Sequence, residues 1–319
     1  MLIDKLRLWV QSISFLVLTY GGRIGIQLGH AVPCFACPYV TSCGGHCFLM
    51  LLQRVGILGI AAYDKLFTWL EFENLFWFLV FFLLAALFSK LWCGWLCPFG
   101  TVLDCLSVLR RKLGIAGFEF SRQTRHRLKY VKYVFLTIIF ILPLCITYLS
   151  LSEDWYLAFC QICPARVIMP LFAGETRHLA IIYDSPVLLL LTVTAIIFTG
   201  ITIVGSFFVD RFFCMLCPML PLIQLVSRFS PLHFTKTAVH CRGCGNCQRV
   251  CPMERRGVTE TKTDRDVMST DCLLCTKCIE ACPENNALSL SLGSKKLFSS
   301  SRAYVIKKFI HSVGEKNDQ

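Results

Sequence analysis

The sequence predicts a mainly α, polytopic membrane protein with four transmembrane helices and a small C-terminal α+β domain. Three observations predict it. The 319 residues are 55% hydrophobic with a mean hydropathy of +0.60, and only 16% are charged, against roughly a quarter in soluble domains. Four apolar runs have the length, about 20 residues, that crosses a bilayer. Near the C-terminus, two four-cysteine runs of identical spacing, each closed by proline, mark a separate unit.

The first apolar run extends from Leu6 to Leu28, with Lys5 and Arg7 at its start. No small-residue cleavage site follows, so it is expected as an uncleaved span, with Arg23 snorkelling to the interface. Phe48 to Ala62 is short and carries Gln53 and Arg54, which suits an interfacial or re-entrant helix. The second span is Phe72 to Phe88. Then Arg110, Arg111, Lys112, Arg122, Arg125, Arg127, Lys129 and Lys132 face one acid, Glu119; cation-rich loops lie on the cytoplasmic side.

A third span is expected from Tyr133 to Leu151, with Pro143 as a kink. The loop after it holds Glu153, Asp154, Glu175 and Asp184 against Arg166 and Arg177 and is placed outside. The fourth span, Pro186 to Val209, returns the chain inside at Asp210-Arg211. Four spans put both termini in the cytoplasm of a bacterial or archaeal inner membrane. The expected division is a membrane domain over 1–232, a cluster-binding domain over 233–292 and a tail over 293–319. Within the tail, Tyr304 to Ile310 reads as an amphipathic or a plainly solvated piece. The net charge of +12 fits membrane orientation rather than nucleic-acid binding.

The C-terminal runs are Cys241-x2-Cys244-x2-Cys247-x3-Cys251-Pro252 and Cys272-x2-Cys275-x2-Cys278-x3-Cys282-Pro283. This is the spacing of bacterial two-cluster ferredoxins, in which each fourth cysteine ligates the other cluster. The expected ligands of one [4Fe–4S] cluster are therefore Cys241, Cys244, Cys247 and Cys282, and of the second Cys272, Cys275, Cys278 and Cys251. Zinc ribbons also use Cys-x2-Cys pairs, but do not call for two four-cysteine runs each ending in Cys-Pro. Thiolate ligands place this domain on the reducing, cytoplasmic side. Twenty cysteines in so apolar a chain exclude the small disulfide-stapled class and favour metal or redox use.

Each span also ends at a short motif closed by proline: Cys34-x2-Cys37-Pro38, Cys93-x3-Cys97-Pro98, Cys160-x2-Cys163-Pro164 and Cys214-x2-Cys217-Pro218. Two such pairs supply the four ligands a cubane needs. An inner membrane-face cluster is expected on Cys93, Cys97, Cys214 and Cys217. Outside, Cys34, Cys37, Cys160 and Cys163 are the expected set, with Cys43 and Cys47 as alternative ligands or a disulfide; thiol exchange fits the same residues. Cys105 and Cys145 stand alone and read as core. His46 reads as a solvated loop residue, and Trp92 and Trp95 as an interfacial aromatic belt. Gly21-Gly-Arg-Ile-Gly25 lies within a span, so no nicotinamide or flavin site is expected.

Cys93-Gly-Trp-Leu-Cys97-Pro-Phe-Gly, Cys214-Met-Leu-Cys217-Pro, four spans and a C-terminal dicluster domain together resemble the NapH-type membrane ferredoxins, over roughly Phe72 to Pro283. Those are quinol dehydrogenase membrane components of periplasmic nitrate reductase systems, with relatives in methylamine utilisation and nitrous oxide respiration. The resemblance implies cysteine-proline motifs at the cytoplasmic face and electron passage between quinol, clusters and a periplasmic partner. Two departures stand out: the second inner motif is Cys-x2-Cys rather than Cys-x3-Cys, and six outer cysteines are additional. The chain is also similar to ferredoxin-type cupric reductases, without their large C-terminal domain.

The expected function is a membrane-bound iron–sulfur electron-transfer subunit. It would relay electrons between two to four [4Fe–4S] clusters and the quinone pool or an extracytoplasmic redox partner, beside a cytochrome or iron–sulfur subunit of a membrane redox complex. The alternative is a transmembrane thiol–disulfide or cupric-ion reductase using the outer cysteines.

Overall fold

The computed structural model describes residues 3–25, 37, 39–40, 47–53, 69–118, 120–149, 152–253, 257–262, 264–268 and 271–306. The larger helices are α1 (Ile3–Tyr20), α2 (Trp69–Phe88), α3 (Pro98–Lys112) and α4 (Arg122–Tyr148). They continue as α5 (Ala158–Ile162), α6 (Pro164–Phe172), α7 (Pro186–Phe208), α8 (Phe212–Leu216) and α9 (Met219–Ser227). The strands are β1 (Leu232–Lys236), β2 (Arg265–Asp266), β3 (Leu288–Leu292) and β4 (Lys295–Ser299).

The chain divides into two compact units. One comprises Met1–Ser12, Ala85–Leu96 and Leu222–Gln319. Its antiparallel sheet has the order β2-β1-β3-β4. Alternation along β1 turns Leu232, Phe234 and Lys236 inward and leaves His233 out, as a period of two requires. Leu232 and Phe234 join Leu288, Leu290, Ile279 and Val258 in one apolar core, which Ile3 and Trp95 complete. Strand β4 falls in the expected tail. Gly293, with φ of 57°, and Ser294 form the two-residue turn that folds it back on β3, a position where glycine takes left-handed backbone without strain.

The other unit comprises Ile13–Leu84 and Cys97–Pro221. Ser185 caps α7 by accepting the Val187 N–H, and Pro186 opens it. Along α7 the buried residues are Leu191, Thr192, Ala195, Thr199, Thr202 and Ser206, mostly small or hydroxylated, whereas Leu190, Ile197, Ile201 and Val204 are exposed. Small or hydroxylated residues turned in and large apolar ones turned out are what a lipid-facing helix presents. Gly205 permits the approach of the Phe212 ring, where a Cβ would collide with it.

Among the described residues, two helices are long and apolar enough to cross a membrane, Gln123–Ile146 and Pro186–Phe208. They correspond to the third and fourth expected spans. The third begins well before Tyr133, because α4 takes up the basic segment from Arg122, capped by Ser121. Leu79–Phe88 is a shorter apolar stretch. Of the first expected span only the part up to Gly25 is described: α1 runs from Ile3 to Tyr20, before Gly21-Gly22, and its opening turns carry Asp4, Lys5, Arg7 and Gln11. Arg7 and Gln11 are buried on residues of the sheet-containing unit.

Candidate iron–sulfur sites

The two C-terminal cysteine runs share one backbone design. Gly243 and Gly245 in the first run, and Leu274 and Thr276 in the second, all have φ between 49° and 75°. Left-handed residues at the second and fourth positions after the leading cysteine wind each loop around a centre. Glycine does so freely in the first run. In the second, a non-glycine residue in this region costs on the order of 1–3 kcal/mol, and Leu274 and Thr276 are held there by burial.

Cys241, Cys244, Cys247 and Cys282 line one pocket, together with Gly243, Gly245 and Val258. Cys251, Cys272, Cys275 and Cys278 line a second pocket, and Cys247 reaches this one too. Lys236 secures the wall between them: its buried ammonium donates to the carbonyls of Val258 at 2.7 Å, Thr259 at 3.2 Å and Thr261 at 2.6 Å. Burial, then the charges of Cys275, Cys272, Cys251 and Cys247, push the Cys278 thiol well up. Among the described residues, no three His, Cys, Asp or Glu side chains are gathered tightly enough for a single metal ion. Thiols spread around a pocket fit a cubane, whose four irons each take one thiolate.

The second loop is gripped by the residues that follow Cys93. The Trp95 indole N–H donates to the Leu274 carbonyl at 3.0 Å, and its ring stacks on Phe298 at 5.9 Å. Gly94 approaches so closely that a Cβ would collide with the Leu273 carbonyl. Gln11 donates to the Gly94 carbonyl at 3.1 Å, and Arg7 to that of Cys275 at 3.4 Å. Trp95 is thus buried rather than part of an interfacial belt. The carbonyl it donates to lies 179 residues away in the chain, beyond the reach of local sequence patterns.

Cys93 lies on the π-turn Trp92–Leu96 of the same unit. Cys97, Cys214 and Cys217 belong to the other unit. Cys97 caps α3, its sulfur accepting the Gly100 N–H at 3.4 Å. Arg211, fully buried with φ of 53°, makes a bidentate pair with Asp104: Nε to Oδ1 at 2.9 Å and Nη2 to Oδ2 at 2.6 Å. Burial raises the Cys97 and Cys214 thiols, the latter to about 12, and the Arg211 charge opposes this at both. Cys97 also acts on Cys214, so these two are neighbours. The sequence reading missed the Arg211–Asp104 pair, having taken Arg211 as a mark of topology alone.

Of the cysteines expected outside, Cys37, Cys47, Cys160 and Cys163 are described and lie in the second unit, where Cys47 and Cys163 each act on Cys37 and Cys160. Cys34, Cys43 and His46 lie outside the described residues. Cys105 is exposed on α3 and Cys145 half-buried on α4, so neither takes the core position expected.

Residues 70–116 and 191–237 each match the family model of a 4Fe-4S binding domain, and 233–283 match that of a 4Fe-4S dicluster domain. The chain is a ferredoxin-type protein that binds [4Fe–4S] clusters, and it belongs to the NapH-type family of membrane ferredoxins. It is 30% identical over 221 residues to an uncharacterised protein of Methanocaldococcus jannaschii, a match covering 68% of this chain and 78% of that one. It is 27% identical over 227 residues to YccM of Escherichia coli, covering 69% and 57%. It is also 27% identical over 209 residues to the ferredoxin-type protein NapH of Haemophilus influenzae, covering 63% and 62%. The chain thus spans less than two thirds of the length of these last two relatives. No solved structure matches it.

Proposed function

We propose that this chain is a membrane electron-transfer subunit. It would relay single electrons between a cytoplasmic dicluster domain, a membrane-face [4Fe–4S] site and the quinone pool or a redox partner across the membrane. The observation that carries this reading is the pair of cysteine pockets that share Cys247 on their walls, since two adjacent centres serve electron passage. In this reading Cys241, Cys244, Cys247 and Cys282 hold one cluster, and Cys272, Cys275, Cys278 and Cys251 the other. Cys93, Cys97, Cys214 and Cys217 hold the membrane-face cluster. Both membrane motifs fall within matches to the 4Fe-4S binding domain, which supports that assignment. Four spans with both termini cytoplasmic complete the proposal.

A bound cluster supplies reversible one-electron storage, at a potential set by hydrogen bonds to sulfur and by burial. The chain's own residues do the rest. Gly100 donates its N–H to Cys97, Arg211 places a fixed positive charge beside Cys97 and Cys214, and the apolar core packs against Cys247, Cys272, Cys278 and Cys282.

The test is a Cys97→Ala, Cys214→Ala double variant purified without oxygen. Iron should fall by about four atoms per chain, at four per cubane. The electron paramagnetic resonance signal of the reduced dicluster domain should persist, and electron exchange with a quinol analogue in liposomes should stop. Unchanged iron would remove the membrane-face site, and undiminished exchange would remove its place in the relay.

A further inference from the structure

The segment Leu157-Ala-Phe-Cys160-Gln-Ile-Cys163-Pro164 lies outside every residue range matched by the family models. Its backbone nonetheless repeats that of Arg211-Phe-Phe-Cys214-Met-Leu-Cys217-Pro218, which lies inside one. Leu157 enters with φ 54° and ψ 31°, Arg211 with φ 53° and ψ 41°. A five-residue helix follows each, α5 and α8, and the closing cysteines are extended at φ −67° and ψ 126° for Cys163, φ −67° and ψ 119° for Cys217. Cys97 takes the same form, φ −61° and ψ 114°, before Pro98. A left-handed Leu or Arg is strained by on the order of 1–3 kcal/mol. Retaining that entry at both places fixes the two thiols of each Cys-x2-Cys pair in the same relation.

Two further segments dock on this one through specific contacts. Tyr39, two residues after Cys37, lies under the Arg166 guanidinium at 4.9 Å and against His178 at 5.4 Å. Arg166 is three residues beyond Cys163, and its N–H donates to the Cys163 carbonyl at 3.0 Å. Gln53, at the end of the helical residues 48–53, donates to the Cys160 sulfur at 3.2 Å and to the Leu49 carbonyl at 3.0 Å. Phe48, next to Cys47, stacks on Phe81 at 3.6 Å.

We propose that Cys37, Cys47, Cys160 and Cys163 form a further [4Fe–4S] site in the membrane unit, beside Cys97 and Cys214. All four are free thiols. Burial raises each of them, and the charge of Cys47 raises Cys37, Cys160 and Cys163 further, in keeping with the Gln53–Cys160 and Tyr39–Arg166 contacts that dock their segments together. Cys47 feels Cys97 as well, which sets this site next to the membrane-face pair. The four are not drawn in for a single ion; the dicluster cysteines, whose spacing is that of cluster ligands, are spread in the same way. A neutral amide N–H on Cys160 suits a cluster sulfur, where such bonds tune potential. Cys47 here takes the place the sequence reading gave to Cys34. The purpose of the site rests on the electron-transfer reading; its existence does not.

Iron and acid-labile sulfide counted on the full chain, purified anaerobically, should be near sixteen each, at four per cubane. Cys47→Ala and Cys160→Ala should each bring them to about twelve, with the paramagnetic signal of the reduced dicluster domain kept, and Cys34→Ala should leave sixteen. A wild-type value near twelve, or unchanged iron in Cys47→Ala, overturns the site. If the alanine variants do not assemble, Gln53→Leu removes only the N–H on Cys160. It should shift the midpoint potential of one cluster and leave the others in place; no shift overturns the proposal. Failure of the relay reading would look different, with full iron and no reversible reduction.

Discussion

Arg211 and Asp104 form a buried ion pair beside Cys97 and Cys214. A guanidinium that is 1% exposed and paired in two parallel bonds loses its compensation when the carboxylate goes, at a cost of about 3–5 kcal/mol. Asp104→Leu should therefore lower the thermal midpoint sharply, measured by circular dichroism. Adding Arg211→Met should recover most of that stability, because no charge then remains buried, while altering the potential of the membrane-face site. A single variant as stable as the parent would deny the pair its role. The cysteines themselves were legible from spacing alone, since cubane ligation imposes a fixed local pattern. Arg211 was not, because its partner lies 107 residues earlier and a charge before a Cys-Pro motif looks the same whether it faces water or a carboxylate.

At the scale of elements, the turn between α2 and α3 matters most. Gly94 and Trp95 press on the second cysteine loop, so Gly94→Ala has no room against the Leu273 carbonyl. The expected result is a displaced loop. Potentiometry should find the potential of the cluster on Cys272, Cys275 and Cys278 moved, and that on Cys241 and Cys244 unmoved. Equal shifts in both, or none, would contradict the contact. The sheet was legible in kind but not in extent. Alternation in Leu232–Lys236 and Leu288–Leu292 reads as strand, yet Lys295–Ser299 was assigned to the tail although Leu292-Gly293-Ser294-Lys295 carries the signal of a tight hairpin. The docking of Arg7 and Gln11 was hidden for another reason: charges at the start of an apolar run resemble a membrane anchor as closely as they resemble a packed helix.

For the whole molecule, the mostly small or hydroxylated buried side and apolar exterior of α7 agree with a bilayer environment, and α4 shares the required length and apolarity. An electron crossing a hydrocarbon core of about 30 Å needs stations within it. The proximity of Cys47 to Cys97 supplies a physical reason for the outer cysteines that span counting alone did not reveal. Spans are legible because lipid demands long apolar helices; the gathering of Cys37, Cys47, Cys160 and Cys163 is tertiary, and the sequence could only offer six candidates. The central claim is that these thiolates carry electrons rather than brace the fold. It is tested most directly by redox titration of the anaerobically purified protein, followed by electron paramagnetic resonance. The account predicts reversible one-electron signals from two interacting dicluster centres, and a further signal that disappears in the Cys97→Ala, Cys214→Ala variant. Clusters present by iron analysis that stay silent between about −700 and +450 mV, the span such centres cover, would contradict it.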